Sequence, residues 1–276
     1  MRISHALSWG RGELLSQPNI RPNLESELLL AFVLGVSREK IHIWGDKEIL
    51  PLVFQYYQEC ILKRKSGVPL AYITNTISFY SKNFFVDERV LIPRPETEIL
   101  IDQVSVWIER TQPKKIVEVG VGSGIISIIL ALKFPFLEIV ATDISQDALE
   151  VARINIEKFD IKNRICLIQT DLLEGVSEKF DLLISNPPYI AKVYPLETSV
   201  MKEPHCALFG GDRGTEILER LILECHKREI AIIACEMGYD QKKVLEKYLN
   251  NLGYATYFFK DYADLDRGFV AQNLMF

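Results

Sequence analysis

Long apolar runs are scarce in this chain. The longest near-continuous one, around residues 125–132, falls far short of the ~20 residues that a membrane-spanning helix needs. No membrane partner is expected. The N-terminal stretch MRISHALSWGRGELL has no apolar core, so no signal peptide is expected either. Cysteines number five, an odd count, with no CxxC pair. Cys166 and Cys235 stand inside apolar, strand-like runs, which points to buried thiols in a reduced, cytoplasmic setting. The four histidines are scattered without metal-ligand spacing, so no metal is expected. An excess of positive charge is missing too. A net charge of −5 argues against a protein that coats nucleic acid. Internal repeats and low-complexity segments are absent.

What is present changes character along the chain. Residues 1–75 carry apolar side chains at three- and four-residue spacing, the pattern of a small helical bundle. Asn23 is the expected N-cap of its second helix, and Gly35 the expected terminator. The Lys63-Arg64-Lys65 triplet reads as a solvated helix end rather than a nucleic-acid contact. Residues 77–92 read as a hairpin turning around Ser81-Lys82-Asn83. A stiff connector, Pro93-Arg94-Pro95-Glu96-Thr97-Glu98, precedes a helix. It serves either as a rigid linker or to hold Arg94 and the two glutamates over a cleft. From residue 114 onward strands alternate with helices, ending in a strand that runs to Met275. This pattern implies parallel βαβ units in a doubly wound α/β sheet. Three domains are expected: a helical domain over 1–75, a hairpin linker over 76–95 and a catalytic domain over 96–276.

Chemistry-bearing residues gather at the expected strand ends, where open α/β sheets bind ligands. Gly120, Gly122 and Gly124 lie between the first strand and its helix. Their spacing is not the GxGxxG of a dinucleotide loop, and it suits a ligand without a pyrophosphate. Asp143 ends the second strand, placed to accept the hydroxyls of a ribose. Asp171 and Leu172 end the third, offering an acceptor for an adenine amino group and an apolar face for its ring. Glu118, late in the first strand, could accept from an ammonium group. Adenosine joined to an amino acid, without phosphate, describes S-adenosylmethionine.

The fourth strand stops at Asn186-Pro187-Pro188-Tyr189. Neither proline has an N–H to extend a ladder, and Asn186 is pushed toward extended geometry by the proline after it. The Asn186 side-chain oxygen and the Pro187 carbonyl can accept both hydrogens of a planar NH2 group, with Tyr189 flanking it. That geometry aims the nitrogen at a sulfonium methyl for in-line displacement. The tetrapeptide alone does not separate a nucleobase from an amide.

Together these blocks resemble the HemK/PrmC family of glutamine N5-methyltransferases that act on peptide chain release factors. The resemblance runs over nearly the whole chain: LIPRPETE (residues 91–98), EVGVGSG, ATD, NPPYI, EPHCALFGGDRG (residues 203–214) and the closing KDYADLDRGFV. It implies a seven-stranded, mostly parallel Rossmann-like methyltransferase sheet and transfer of methyl to the glutamine of a Gly-Gly-Gln tip. It also implies cofactor contacts from Gly120, Val121, Gly122, Ser123, Gly124, Asp143, Leu172 and Asn186. Substrate glutamine would be held by Asn186, Pro187, Pro188 and Tyr189, with the helical domain recognising the body of a class I release factor. The protein is expected to act as a monomer. Val121, Glu118 and Leu172 depart from the family's common residues. A sister enzyme modifying a ribosomal protein is a rival that resembles Pro-Arg-Ser-Pro where this chain has Pro-Glu-Thr-Glu. A DNA or RNA amino-methyltransferase is a further rival, but it calls for a basic, aromatic groove that this acidic chain does not display. A non-catalytic cofactor-binding subunit would not need the tetrapeptide.

Overall fold

Proline opens two of the helices in the N-terminal region, where its missing N–H costs nothing. The computed structural model describes residues 1–274; Met275, the expected end of the last strand, lies outside them. The chain divides into two units, Met1–Thr76 with Glu197–Lys202, and Ile77–Leu196 with the chain from Glu203 on. Residues 197–202, expected with the catalytic domain, therefore group with the helices.

The first unit holds α1 (Ile3–Leu14), α2 (Pro22–Leu34), α3 (Arg38–Ile43), α4 (Pro51–Lys65) and α5 (Leu70–Thr74). Pro22 and Pro51 occupy the first turns of α2 and α4. Asn23 is therefore inside α2 rather than capping it. Arg21 takes the cap position, and its N–H donates to Glu25 Oε1 at 3.2 Å. Gly35 ends α2 in the left-handed conformation, as the sequence predicts. Leu14, Leu29, Leu30, Tyr57 and Ile61 build the core. The basic triplet is not a uniformly solvated end. Arg64 is 8% exposed and pairs with Glu25, also 8% exposed, while Lys65 reaches Glu13 at 2.8 Å.

The second unit begins with a hairpin, β1 (Ile77–Phe79) and β2 (Lys82–Phe84). Its turn is Tyr80-Ser81, both residues at positive φ, earlier than expected. This backbone twist matches the twist of paired strands. After α6 (Glu96–Thr111) come β3 (Lys115–Val119), α7 (Ile125–Lys133), β4 (Glu138–Asp143), α8 (Gln146–Lys158), β5 (Ile165–Gln169) and β6 (Leu182–Ser185). Then follow β7 (Ile190–Ala191), α9 (His205–Leu208), β8 (Phe209–Gly211), α10 (Glu216–Lys227), β9 (Ile232–Glu236), α11 (Lys242–Asn251), β10 (Tyr254–Lys260) and β11 (Asp266–Asn273).

Seven strands form one sheet in the order β10-β11-β9-β6-β3-β4-β5. The five from β9 to β5 run parallel, and β11 pairs antiparallel with both β9 and β10. Every residue of β6 and β9 is buried, as strands covered by helices on both faces must be. The apolar clusters lie on the two faces of this sheet, one around α6 and α7, the other around α10 and α11. Cys235 is buried in central β9, but Cys166 is exposed, because β5 is the sheet's edge. The order reverses between β3 and β6, and the carboxyl ends of those strands open a crevice.

Breaking the Arg64–Glu25 pair strands a buried carboxylate. Arg64→Ala is expected to cost about 3–5 kcal/mol in urea unfolding, while joint replacement by Met and Leu recovers most of it. An Arg64→Ala variant as stable as wild type would contradict the buried pair.

Candidate active site

The glycine loop after β3 is held by the tip of β4. The N–H groups of Gly120 and Val121 donate to the Thr142 carbonyl at 2.8 and 2.9 Å. Gly122 N–H donates to Asp143 Oδ2 at 2.9 Å, and Ser145 N–H to Oδ1 at 2.9 Å. Burial pushes the Asp143 carboxyl up, and these donors pull against it. Asn155, fully buried on α8, fastens the loop from behind. It donates to the carbonyls of Ser123 at 2.8 Å and Phe85 at 2.9 Å, and accepts from Phe85 N–H at 2.7 Å. Leu172 sits at φ 52, a conformation that costs a non-glycine residue about 1–2 kcal/mol, and its carbonyl accepts from Thr142 Oγ1 at 2.8 Å. Strain of this kind gathers where a site over-determines its backbone.

The turn after β6 is gripped as firmly. Ser185 Oγ donates to the Val119 carbonyl at 2.6 Å, tying the tips of β6 and β3. Gln241 Nε2 donates to the Tyr189 carbonyl at 2.7 Å, and Gln241 Oε1 accepts from Gly238 N–H at 2.9 Å. Residues beyond the turn pair in parallel with β8. A Cβ on Gly210 would lie 2.9 Å from Tyr189 Cα, and one on Gly214 would lie 2.9 Å from Ala191 N. Glycine is needed there because backbone packs on backbone. The distant Phe-Gly-Gly-Asp-Arg-Gly stretch is thus the bed on which the turn lies.

The Leu91–Glu98 block closes the site from the other side. Arg94 pairs with the buried Glu203 at 2.6 Å, whose other oxygen accepts from Ile92 N–H at 3.0 Å. Glu98 accepts from Tyr80 N–H at 2.7 Å. Arg94 and Glu98 are therefore engaged in structure rather than free above a cleft. Thr97, which sequence reasoning passed over, is the residue that reaches the turn: its Oγ1 accepts from Asn186 Nδ2 at 3.2 Å.

A cavity of about 350 Å³ opens at these strand ends, within the usual size of small-ligand sites. The structure brings Gly120, Gly122, Ser123, Asp143, Asp171, Leu172, Asn186, Pro187 and Pro188 to its wall, with Thr97 and Cys206. Asp171 also pairs with Arg220 at 2.7 Å on the rim. Other expected residues are placed elsewhere. Val121 is packed in the core and Gly124 starts α7. Tyr189 packs on the core cluster of α10 and α11, and burial raises its hydroxyl to about 12 beside Arg267. Glu118, expected toward a ligand's ammonium, is not on the wall: it is 1% exposed, accepts from Ser127 N–H at 2.9 Å, and burial raises it to about 8, while its Oε1 has no partner among the described residues.

The sheet order, the glycine loop and the cavity at the switch point define a methyltransferase fold. Residues 95–203 match the Methyltransferase small domain, and residues 5–74 match the PrmC N-terminal domain. Solved structures share the fold. The human Mettl16 catalytic domain aligns at a TM-score of 0.57 with 16% identity, over 80% of this chain and 82% of that one. A ribosomal protein L11 methylase from Lactobacillus delbrueckii subsp. bulgaricus aligns at 0.50 with 24% identity, over 68% and 83%. Two relatives named release factor glutamine methyltransferase are closer in sequence. That of Aquifex aeolicus is 34% identical over 94% of both chains, and that of Dictyoglomus turgidum 43% identical over 74% of both. The chain belongs to the release factor glutamine methyltransferase family.

Adding one methyl at Gly214 is expected to displace the turn. Gly214→Ala should lower stability in urea unfolding by about 1–3 kcal/mol, the usual range for overpacking. Equal stability would show that the turn does not rest on this glycine.

Proposed function

We propose that this chain transfers a methyl group from S-adenosylmethionine to the side-chain amide nitrogen of the glutamine in the Gly-Gly-Gln tip of class I peptide chain release factors. The observation that carries the reading is that Asn186, Pro187 and Pro188 share one cavity wall with Asp143 and the glycine loop. Methyl donor and planar acceptor therefore meet in one space.

The residues fit the cofactor. The Asp143 oxygens, each already accepting one backbone N–H, keep lone pairs for ribose hydroxyls. Asp171 and Leu172 flank the adenine end. A Cβ at Gly122 would meet nothing within 4 Å, so the loop leaves room for a ligand to lie against it. When bound, the cofactor supplies an electrophilic methyl group on a sulfonium centre.

The chain's own residues do the rest. Asn186 Oδ1 and the Pro187 carbonyl accept the two amide hydrogens and fix the plane of the glutamine side chain. Tyr189, packed on the core behind the cavity wall, anchors the turn rather than touching the amide. The amide nitrogen is a poor nucleophile, so orientation supplies much of the rate. As the new bond forms, the nitrogen gains positive charge, and these fixed acceptors hold its hydrogens more strongly than in the ground state. The proton leaves after transfer, so no base is required before it.

The helical N-terminal unit recognises the body of the release factor, a protein partner met in the cytoplasm by a monomeric enzyme without direct nucleic-acid contact. No helix among the described residues is long and apolar enough to cross a membrane.

Incubation of the purified protein with S-adenosylmethionine and a release factor is expected to add one methyl mass to the Gly-Gly-Gln glutamine, read by fragment mass spectrometry. Methylation confined to DNA or ribosomal RNA would refute the reading. Asn186→Ala is expected to lose about 10² or more in turnover while retaining cofactor binding at least in part. Wild-type turnover would remove Asn186 from the mechanism. Cys206, exposed on the cavity wall, offers a check that needs no turnover. Its alkylation is expected to slow when S-adenosylhomocysteine is added, whereas that of the edge-strand thiol Cys166 is not. Equal rates at Cys206 with and without the ligand would place the cofactor elsewhere.

A further inference from the structure

Glu236 ends β9 with its carboxyl group wholly buried, and neither oxygen has a hydrogen-bond partner among the described residues. An acid in that condition is expensive to hold, and nothing in the packing of the sheet requires one. It stands at the carboxyl end of the strand beside β6, where Cys235 is opposite Ser185, so Glu236 and Asn186 follow side by side. Thr97 comes to the same place, since α6, which carries it, packs on β9 and its hydroxyl meets Asn186; its nearness favours the charged form of Glu236, although the two do not meet in hydrogen-bond geometry.

Thr97 is itself half used. It is 1% exposed, and its oxygen accepts from Asn186 Nδ2. Its own proton has no acceptor among the described residues. A buried donor without an acceptor therefore stands beside buried acceptors without a donor. Asn186 Oδ1 also carries no hydrogen bond among the described residues, so it is the end of the amide left for a ligand.

We propose that Thr97 and Glu236 are a positioning pair that sets which end of the Asn186 amide faces the substrate. This rests on the glutamine reading above. A hydroxyl has one proton. When Thr97 gives it to the Glu236 carboxylate, only lone pairs remain toward Asn186. Asn186 must then turn its NH2 to Thr97 and its oxygen to the cavity. That orientation accepts a hydrogen from the substrate NH2. The opposite orientation would set NH2 against NH2. Neutral Glu236 removes the constraint, because its own O–H can donate to Thr97. Thr97 is then free to donate to Asn186 Oδ1 and flip the amide.

The ionisation of Glu236 therefore becomes a pH dependence of turnover. Burial raises its carboxyl to about 7. Thr97, Arg267 on β11 and Arg94 favour the charged form, Glu96 opposes it, and the Tyr189 hydroxyl lies close by. Arg267 is in turn held by Asp261 at 2.8 Å. Below about pH 7 the carboxyl is protonated and the lock is lost. Above it the lock is complete.

The test measures kcat, KM for the release factor and cofactor dissociation constant for wild type, Thr97→Val, Thr97→Ser and Glu236→Gln between pH 6 and 9. Thr97→Val keeps the shape of the side chain and removes its hydroxyl. Its kcat is expected to fall by about 10–100-fold, the usual scale for a misoriented contact, with cofactor affinity unchanged. Thr97→Ser is expected to restore kcat. Wild-type kcat is expected to rise with pH through the neutral range, and Glu236→Gln to lose that rise. Wild-type kcat in Thr97→Val, or an unaltered pH profile in Glu236→Gln, would overturn the pair. A wild-type enzyme that leaves the release-factor glutamine unmethylated would overturn the functional reading and this inference with it.

Discussion

A turn without freedom is the constraint on which this structure depends. Two consecutive prolines remove backbone donors from residues 187 and 188, so the carbonyls there are left with acceptor capacity. That capacity is useful only if the carbonyls stay in place. The chain spends many distant residues on keeping them there. Ser185 ties the strand before the turn to β3, Gln241 holds the Tyr189 carbonyl, and the glycines at 210 and 214 let another backbone lie flush against it. Catalysis by orientation requires this, since a group that wanders by an ångström loses its rate advantage.

The same logic accounts for the buried carboxyl groups around the site. Glu203 holds Arg94 and the Ile92 N–H, which brings the Leu91–Glu98 block to the cavity. Glu118 holds the first turn of α7 through Ser127. In each case a carboxyl oxygen accepts a backbone N–H, and position is gained for the desolvation it costs. Glu118 also leaves one oxygen unmatched, but Glu236 differs because neither of its oxygens has a partner among the described residues, which makes it a participant in orientation rather than a clamp.

Local pattern made the sheet and both halves of the site legible. Strands alternating with helices imply the parallel core, glycines after an apolar run imply a ligand loop, and a polar-proline turn after another implies an acceptor site. Contacts distant in sequence were not legible. Asn155 and Phe85 are 70 positions apart, and Asn186 and Thr97 are 89 apart. Thr97 in a first turn reads as an ordinary helix start, and Asn155 as a polar residue on a helix face. Glu236 within an apolar run gives no local sign of which neighbour it meets. Cys166 was expected to be buried because an edge strand and a central strand share one local pattern. Arg64 was expected in solvent because its partner Glu25 lies on another helix.

The most direct test of the central claim is a structure of the protein with S-adenosylhomocysteine and a peptide carrying Gly-Gly-Gln. The glutamine amide nitrogen should stand about 3 Å from both Asn186 Oδ1 and the Pro187 carbonyl, with Asn186 Nδ2 still on Thr97. A glutamine bound away from that turn, or an Asn186 amide facing it with its nitrogen, would contradict the account.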